Sequence, residues 1–291
     1  MKVLGTGLTG LVGSRIVELL ADKYEFENLG RSSGVDIVDK NQVLEKIKTS
    51  DAQIILHLAA KTDVDECEKD KALRQDGEAW RINVEGVRNV AAACLQTNKK
   101  LIYVSTDFVF DGENQPLGGY AEDDLPNPIN WYAQTKCEGE KIVQNLKAPW
   151  IIIRIAYPYR ANFAKPDFFR VILGKLQEEK PIAAIADNIF TPTLIDDISS
   201  AFDILINSNS QGIFHVVGSQ SLTSFEAANL IADGFNLDKS KISKTTRSEF
   251  FNNRATRPFQ LALRNDKITK LGVRMKTFEE GIREIKSQLN L

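Results

Sequence analysis

The stretch KVLGTGLTGLVGSRIVELL, Lys2 to Leu20, decides how this chain folds. Its opening residues read as a short apolar strand, and from Leu11 the apolar residues return with a helical period. Between the two, Gly7, Gly10 and Gly13 form a Gly-x-x-Gly-x-x-Gly turn. Gly7 permits the tight turn, Gly10 lets backbone approach a pyrophosphate, and Gly13 lets the helix pack closely on a sheet. The free N–H groups and positive dipole end of that helix then face phosphates. A glycine-rich turn between a first strand and a first helix points to nucleotide binding.

Working outward, YEFENLGR reads as a second strand and closes a βαβ unit. A helix around Gln42 to Lys48, the strand AQIILHLAA, a long helix from about Glu78 to Gln96 and the strand KKLIYVST follow. A helix carrying Tyr132 and Lys136 leads to the strand PWIIIRIAY. Runs as continuously apolar as IILHLAA and WIIIRIAY suit strands covered on both faces, so the fold expected is α/β with a parallel, doubly wound sheet. After Tyr159 the rhythm weakens. PDFFRVILGKLQEE is a helix, PIAAIAD is extended, and TLIDDISSAFDILIN with GIFHVVG reads as a helix and strand returning to the main sheet. A helix with Thr223 or Ser224 as N-cap, a polar segment through Arg257 and a final helix from Thr277 complete the chain. The division expected is a dinucleotide-binding lobe, residues 1–159 and roughly 190–217. A smaller, discontinuous C-terminal substrate lobe takes roughly 160–189 and 218–291.

Composition narrows the function. A chain of 291 residues with a formal charge of −2 and dispersed lysines presents no basic field, so nucleic acid is not an expected partner. No apolar run is long enough to span a bilayer, and glycines interrupt the N-terminus where a signal peptide would be uniformly apolar, so a cytoplasmic protein with no membrane association is expected. Three distant cysteines, Cys67, Cys94 and Cys137, fit a reducing compartment. His57 and His215 lie in apolar strands without a second ligand at metal-binding spacing, so no metal site is expected.

Three further places carry chemistry. After the second strand, Gly30 stands where an acid would bind a ribose 2′-hydroxyl, and Arg31 with Ser32 follows; an arginine there accommodates a 2′-phosphate, so NADP(H) is preferred, with NAD(H) the alternative. At the end of KKLIYVST come Ser105, Thr106 and Asp107, at the carboxyl end of a strand where open α/β sheets bind ligands. Tyr132 and Lys136, four residues apart on a helix, share one face and can reach a single ligand.

In their order and spacing, TGLTGLVG (6–13), HLAA (57–60), NVEG (83–86), STDFVFDG (105–112) and YAQTK (132–136) resemble the extended short-chain dehydrogenase/reductase family, with its Rossmann-type fold. KTDVDECEKD, DNIFTPT (187–193) and RPFQLAL (257–263) make the chain most similar to the dTDP-4-dehydrorhamnose reductase branch. The resemblance implies a catalytic triad of Thr106, Tyr132 and Lys136. It implies a cofactor held by the glycine-rich turn (Gly7, Thr9, Gly10, Leu11, Val12, Gly13), by Arg31 and Ser32, by Asp36 and Ile37 near adenine, and by Ala59 and Ala60, with Tyr132 and Lys136 at the nicotinamide end. Thr62, Asp107, Phe108, Tyr157 and Arg257 fall where the branch lines its sugar site. Two departures stand out. RIAYPY replaces Arg-Thr-Ser-Trp-Val-Tyr, putting Tyr157 for the tryptophan, and RPFQL replaces Arg-Pro-x-Asn-Ser.

The activity implied is NADP(H)-dependent reduction of a keto group on a nucleotide-activated sugar, by a soluble oxidoreductase. Tyr132 would supply the proton, Lys136 would lower its pKa and hold the nicotinamide ribose, and Thr106 would polarise the carbonyl. Epimerisation on the same triad is one alternative. Another is a cofactor-binding regulatory subunit without turnover, as in the methionine adenosyltransferase regulatory subunit. Dehydration is disfavoured because Phe108 stands where dehydratases carry a glutamate after Thr-Asp. The resemblance leaves room for a homodimer.

Overall fold

The structure, a computed structural model, describes residues 1–290. Strand β1 (Lys2–Thr6) stops at Gly7, whose φ is +68° and where a side chain would meet the Ala59 backbone nitrogen at 2.9 Å. The chain turns there into α1 (Leu11–Leu20), then runs through β2 (Glu25–Asn28), α2 (Lys40–Thr49), β3 (Ile54–His57) and α3 (Val64–Asp70). The helix expected from Glu78 to Gln96 is α4 (Glu78–Trp80) and α5 (Val87–Thr97), joined through a wide π turn at Arg81–Gly86. In that turn Asn83 is buried and its side chain bridges the Lys61 backbone and the Thr135 hydroxyl. At Gly86 a side chain would collide with Ile37, so glycine lets the helix lie close against that residue.

The second half contains β4 (Lys100–Thr106), α6 (Trp131–Gln144), β5 (Trp150–Ile155), β6 (Pro158–Tyr159), α7 (Phe168–Gln177) and β7 (Ile182–Ile185). Then come β8 (Thr193–Leu194), α8 (Ile195–Asn207), β9 (Gly212–His215), α9 (Ser224–Phe235), β10 (Ile242–Thr245), α10 (Arg247–Phe250), α11 (Asp266–Lys270) and α12 (Phe278–Gln288). Thr223 and Thr277 each cap a helix with a glutamate three residues on, in reciprocal capping boxes. The polar segment before Arg257 is more ordered than its composition suggests. It holds β10, which pairs in parallel with β7, and the short α10.

The main sheet is parallel throughout, in the order β2-β1-β3-β4-β5-β9. Chain direction across the sheet reverses between β1 and β3, which opens a crevice at their carboxyl ends. Neighbouring strand residues enter opposite cores. Val3, Ile54, Ile102 and Ile151 pack under α1 and α8, whereas Leu4, Ile55, Leu101 and Ile152 pack under α2 and α5. Both faces are covered, so every position of these strands favours an apolar residue, each fully buried one contributing about 1.5–3 kcal/mol. A third core gathers residues from the second half of the chain, including Tyr159, Phe169, Phe190, Ile231 and Phe278. Ile268, Val273 and Met275, from the last quarter of the chain, pack into the α1/α8 core, whereas Phe278, Ile282 and Ile285 pack into the third. Among the described residues no helix is long and apolar enough to cross a membrane.

Candidate active site

Helix α1 begins at Gly10, which has no side chain to cap it. The Gly10 N–H donates to the Gly7 carbonyl at 3.0 Å and the Ser14 N–H to the Gly10 carbonyl at 2.9 Å, while Leu11, Val12 and Gly13 present the uncapped first turn. A side chain at Gly13 would sit 2.3 Å from the Gly7 carbonyl oxygen, so the turn cannot close around any other residue. Two cavities meet here. One of about 400 Å³ is lined by Gly7, Gly10, Leu11, Val12, Gly13, Ala59, Ala60, Thr62, Ser105, Thr106, Asp107, Tyr132, Lys136 and Tyr157. The other, about 350 Å³, shares Gly7, Gly10, Ala59 and Ala60 and runs on to Thr9, Arg31, Ser32, Asp36 and Ile37. Together they form an elongated crevice with a phosphate-type cradle at its middle.

The crevice brings together residues distant in sequence. Asn130 caps α6 by accepting the Ala133 N–H at 2.8 Å, and its amide donates to the Thr256 carbonyl at 2.9 Å, tying the helix start to the segment before Arg257. Tyr132 and Lys136, both buried, project from that helix into the crevice floor. The Lys136 ammonium donates to the Val104 carbonyl at 2.8 Å and lies 4.3 Å from the centre of the Tyr103 ring. Burial pulls its pKa down to about 7, against the attraction of Glu140.

Tyr132 departs from expectation. Burial pushes its pKa well above the ordinary tyrosine value; the neighbouring Thr106 hydroxyl acts the other way, and Asp107 adds to the rise. The Lys136 ammonium gives its hydrogen bond to the Val104 carbonyl, not to the Tyr132 hydroxyl. Thr106 is also engaged: its oxygen accepts the Phe108 N–H at 3.2 Å and its proton goes to Asp107 Oδ1 at 3.0 Å. Burial raises Asp107 to about 7. Its Oδ2, like the buried Ser105 hydroxyl, has no partner. Unpartnered buried oxygens and an uncapped helix end in one cavity fit a dinucleotide and a polar second ligand.

On the substrate side, Phe108 sets its edge against the Tyr132 ring at 6.0 Å. Tyr157 holds φ at +39°, a strained value for a non-glycine residue, and faces both this crevice and an apolar cavity of about 250 Å³ lined by Phe168, Ile185, Phe190, Phe250 and Phe251. Arg257 does not line the crevice. Its guanidinium pairs with Asp65 on α3 and lies 4.7 Å above Phe251, and it holds the Asp65 carboxyl down to about 2. The nearer carboxylate takes the charge that the groove was expected to use. Leu58, Val104, Ile155 and Pro158 also line the crevice, and Asn28 lines the outer cavity. The apolar four carry no chemical signal in sequence; Asn28, a polar residue ending a strand, does.

The whole chain, residues 1–291, matches the model of the RmlD substrate binding domain. It belongs to that family. The chain is similar, at about the same distance, to relatives with different names. One is the methionine adenosyltransferase 2 subunit beta of Pongo abelii, 31% identical over 97% of this chain and 86% of the relative. Another is the dTDP-4-dehydrorhamnose reductase of Aggregatibacter actinomycetemcomitans, 31% identical over 80% of this chain and 78% of the relative. Among solved structures, the dTDP-4-dehydrorhamnose reductase from Bacillus anthracis in complex with NADP superposes with a TM-score of 0.89 at 30% identity, covering 99% of each chain. The family places this RmlD-type chain in the extended short-chain dehydrogenase/reductase branch expected from its motifs, with the Rossmann-type parallel sheet.

Proposed function

We propose that this chain is an oxidoreductase that reduces a keto group on a nucleotide-activated sugar with NADPH, in the manner of the dTDP-4-dehydrorhamnose reductases it resembles. The observation that carries the proposal is the single cavity lined both by the uncapped end of α1 and by Thr106, Tyr132 and Lys136. The NADP complex of the Bacillus anthracis relative, with Arg31 and Ser32 lining the outer cavity here, supports NADP(H) over NAD(H). The smaller lobe, roughly 160–189 and 218–291, is the substrate side in this reading. Its apolar cavity beyond Tyr157 offers room for the distal end of a long ligand. A cytoplasmic location and a homodimer belong to the same proposal.

The residues that would hold the cofactor are the glycine-rich turn, Arg31, Ser32, Asp36, Ile37, Ala59, Ala60 and Lys136, and the bound nicotinamide supplies the hydride. The protein's own work is proton handling. Burial keeps the Tyr132 hydroxyl protonated across the neutral range, the state a donor to a nascent alkoxide needs. The Thr106 proton must leave Asp107 to polarise the ketone. A protonated Asp107 can donate to Thr106 instead and release that proton, and with its pKa near 7 Asp107 can carry the proton at neutral pH. Lys136 keeps roughly two donors beyond the Val104 carbonyl for ribose hydroxyls.

A second reading is a cofactor-binding subunit without turnover, favoured by the relatives named methionine adenosyltransferase 2 subunit beta. The test is titration with NADPH and a panel of 4-keto sugar nucleotides, following absorbance at 340 nm. Stoichiometric oxidation with one of them is the expected outcome. Binding of NADPH without oxidation across the panel would establish the second reading, and sugar interconversion without net oxidation would make the protein an epimerase.

A further inference from the structure

The Lys136 ammonium sits in an unusual seat. It is buried, its one hydrogen bond runs to the Val104 carbonyl, and the centre of the Tyr103 ring lies 4.3 Å away. Tyr103 is fully buried on β4, directly beneath α6, and its hydroxyl reaches back to the Lys136 carbonyl at 3.5 Å. On β3 the His57 ring stacks against Tyr103 at 5.8 Å with planes 23° apart. The Thr6 hydroxyl, which also accepts the Ala59 N–H, bonds His57 Nδ1 at 2.7 Å. A stack therefore runs from imidazole through phenol to ammonium, under the crevice floor.

We propose that Tyr103 is a positioning residue whose ring face seats the charged Lys136 ammonium, a role that rests on Lys136 being the lysine that meets the cofactor. A buried ammonium loses its hydration, and one carbonyl replaces only part of it. The negative face of an aromatic ring supplies a second, non-titrating counter-charge, strongest where water is excluded. The other groups around Lys136 do not duplicate it. Glu140, one turn along α6, attracts the ammonium but is engaged in both of its oxygens by Arg154. Tyr132 on the same helix and Asp107 after β4 face the crevice, and the Tyr132 hydroxyl is held protonated by burial. Cys137, the neighbour of Lys136 on α6, is likewise held as the neutral thiol by burial. His57 lies on the β3 side of the stack, and burial holds it neutral, down to about 3, so it does not repel the lysine through the ring. The seat also fixes position: with the ammonium between the Val104 carbonyl and the ring, its remaining donors point into the crevice.

The test follows the protonation of Lys136 directly, in protein labelled with [13C]lysine and titrated by NMR with and without NADP. Tyr103→Phe keeps the ring face and should leave the Lys136 midpoint within about 0.3 pH units of the wild type. Pentafluorophenylalanine in place of Tyr103 keeps the shape and reverses the quadrupole, and should lower the midpoint by about one pH unit; Tyr103→Leu should do the same. Where turnover is measured, kcat at pH 8 should fall about tenfold in the fluorinated variant and be normal in Tyr103→Phe. An unmoved Lys136 midpoint in the fluorinated variant overturns the proposal, whatever happens to thermal stability. The NMR midpoint decides the matter even if no keto sugar is turned over, so failure of the catalytic reading and failure of this one are separate results.

Discussion

Glu140→Ala should cost the fold more than any other single truncation near the site. Glu140 lies on α6 one turn beyond Lys136, Arg154 lies on β5, and each side chain is 1% exposed. The two form a fork, Nε to Oε1 at 2.9 Å and Nη2 to Oε2 at 2.7 Å. Without the carboxylate, the guanidinium keeps only the Glu122 carbonyl and His215 Nε2, both at 3.4 Å, and the Phe110 ring at 5.0 Å. Burial and Arg154 hold His215 neutral, down to about 3, so it adds no second positive charge and offers the guanidinium only a long hydrogen bond. A stranded buried charge of this kind costs about 3–5 kcal/mol. At about 2–4 °C per kcal/mol for a chain of this size class, Tm should fall by on the order of 10 °C. Urea and thermal unfolding of the cofactor-free protein at pH 7 measure it. Glu140→Leu combined with Arg154→Met should recover most of the loss, because replacing a buried pair by apolar groups is often close to neutral. Glu140→Ala also removes an attraction that raises Lys136, so the Lys136 midpoint should drop below about 7. A loss under about 1 kcal/mol, or a double variant no better than the single one, would refute the claim that the pair is desolvated and mutually dependent.

Three further outcomes are expected. Tyr132→Phe should lower kcat by on the order of 10² or more with NADPH affinity retained, read by steady-state kinetics beside fluorescence titration; near-normal turnover would remove Tyr132 from the mechanism. Asp107 is raised from 3.8 to about 7 in the folded chain, so the folded state binds its proton more tightly, and stability is lost as pH rises from about 4 to about 7. Asp107→Asn should therefore raise Tm at pH 8 and change it little at pH 4; equal effects at both would show the carboxyl is not titrating there. Arg31→Ala should raise KM for NADPH about tenfold and leave KM for NADH unchanged, whereas an equal rise for both cofactors would deny Arg31 a role at the 2′-phosphate.

The parallel sheet was legible because its cause is local and repeated. Val3 and Leu4, or Ile151 and Ile152, point to opposite covered faces, so the strands had to be continuously apolar, and the glycines between β1 and α1 marked the one turn that backbone crowding allows. The crevice-lining positions of Thr106, Tyr132 and Lys136 were legible for a related reason, since strand ends and helix faces follow from spacing. What a side chain does once it arrives was not. Arg257 turned to Asp65, a partner 192 residues away in sequence, and the ordered pairing of β10 with β7 lay hidden in a polar stretch.

By itself, then, the sequence determined the architecture, the place of the cofactor cradle and the residue types gathered at the site, because periodicity and steric necessity act over a few neighbouring residues. Tertiary structure alone decided their charge and their hydrogen-bond direction. Lys136 faces the Val104 carbonyl and the Tyr103 ring, Thr106 gives its proton to Asp107, and Tyr132 is made a weaker acid by burial. Desolvation and pairing depend on what packs around a group from distant parts of the chain, and neither can be read from its neighbours in sequence.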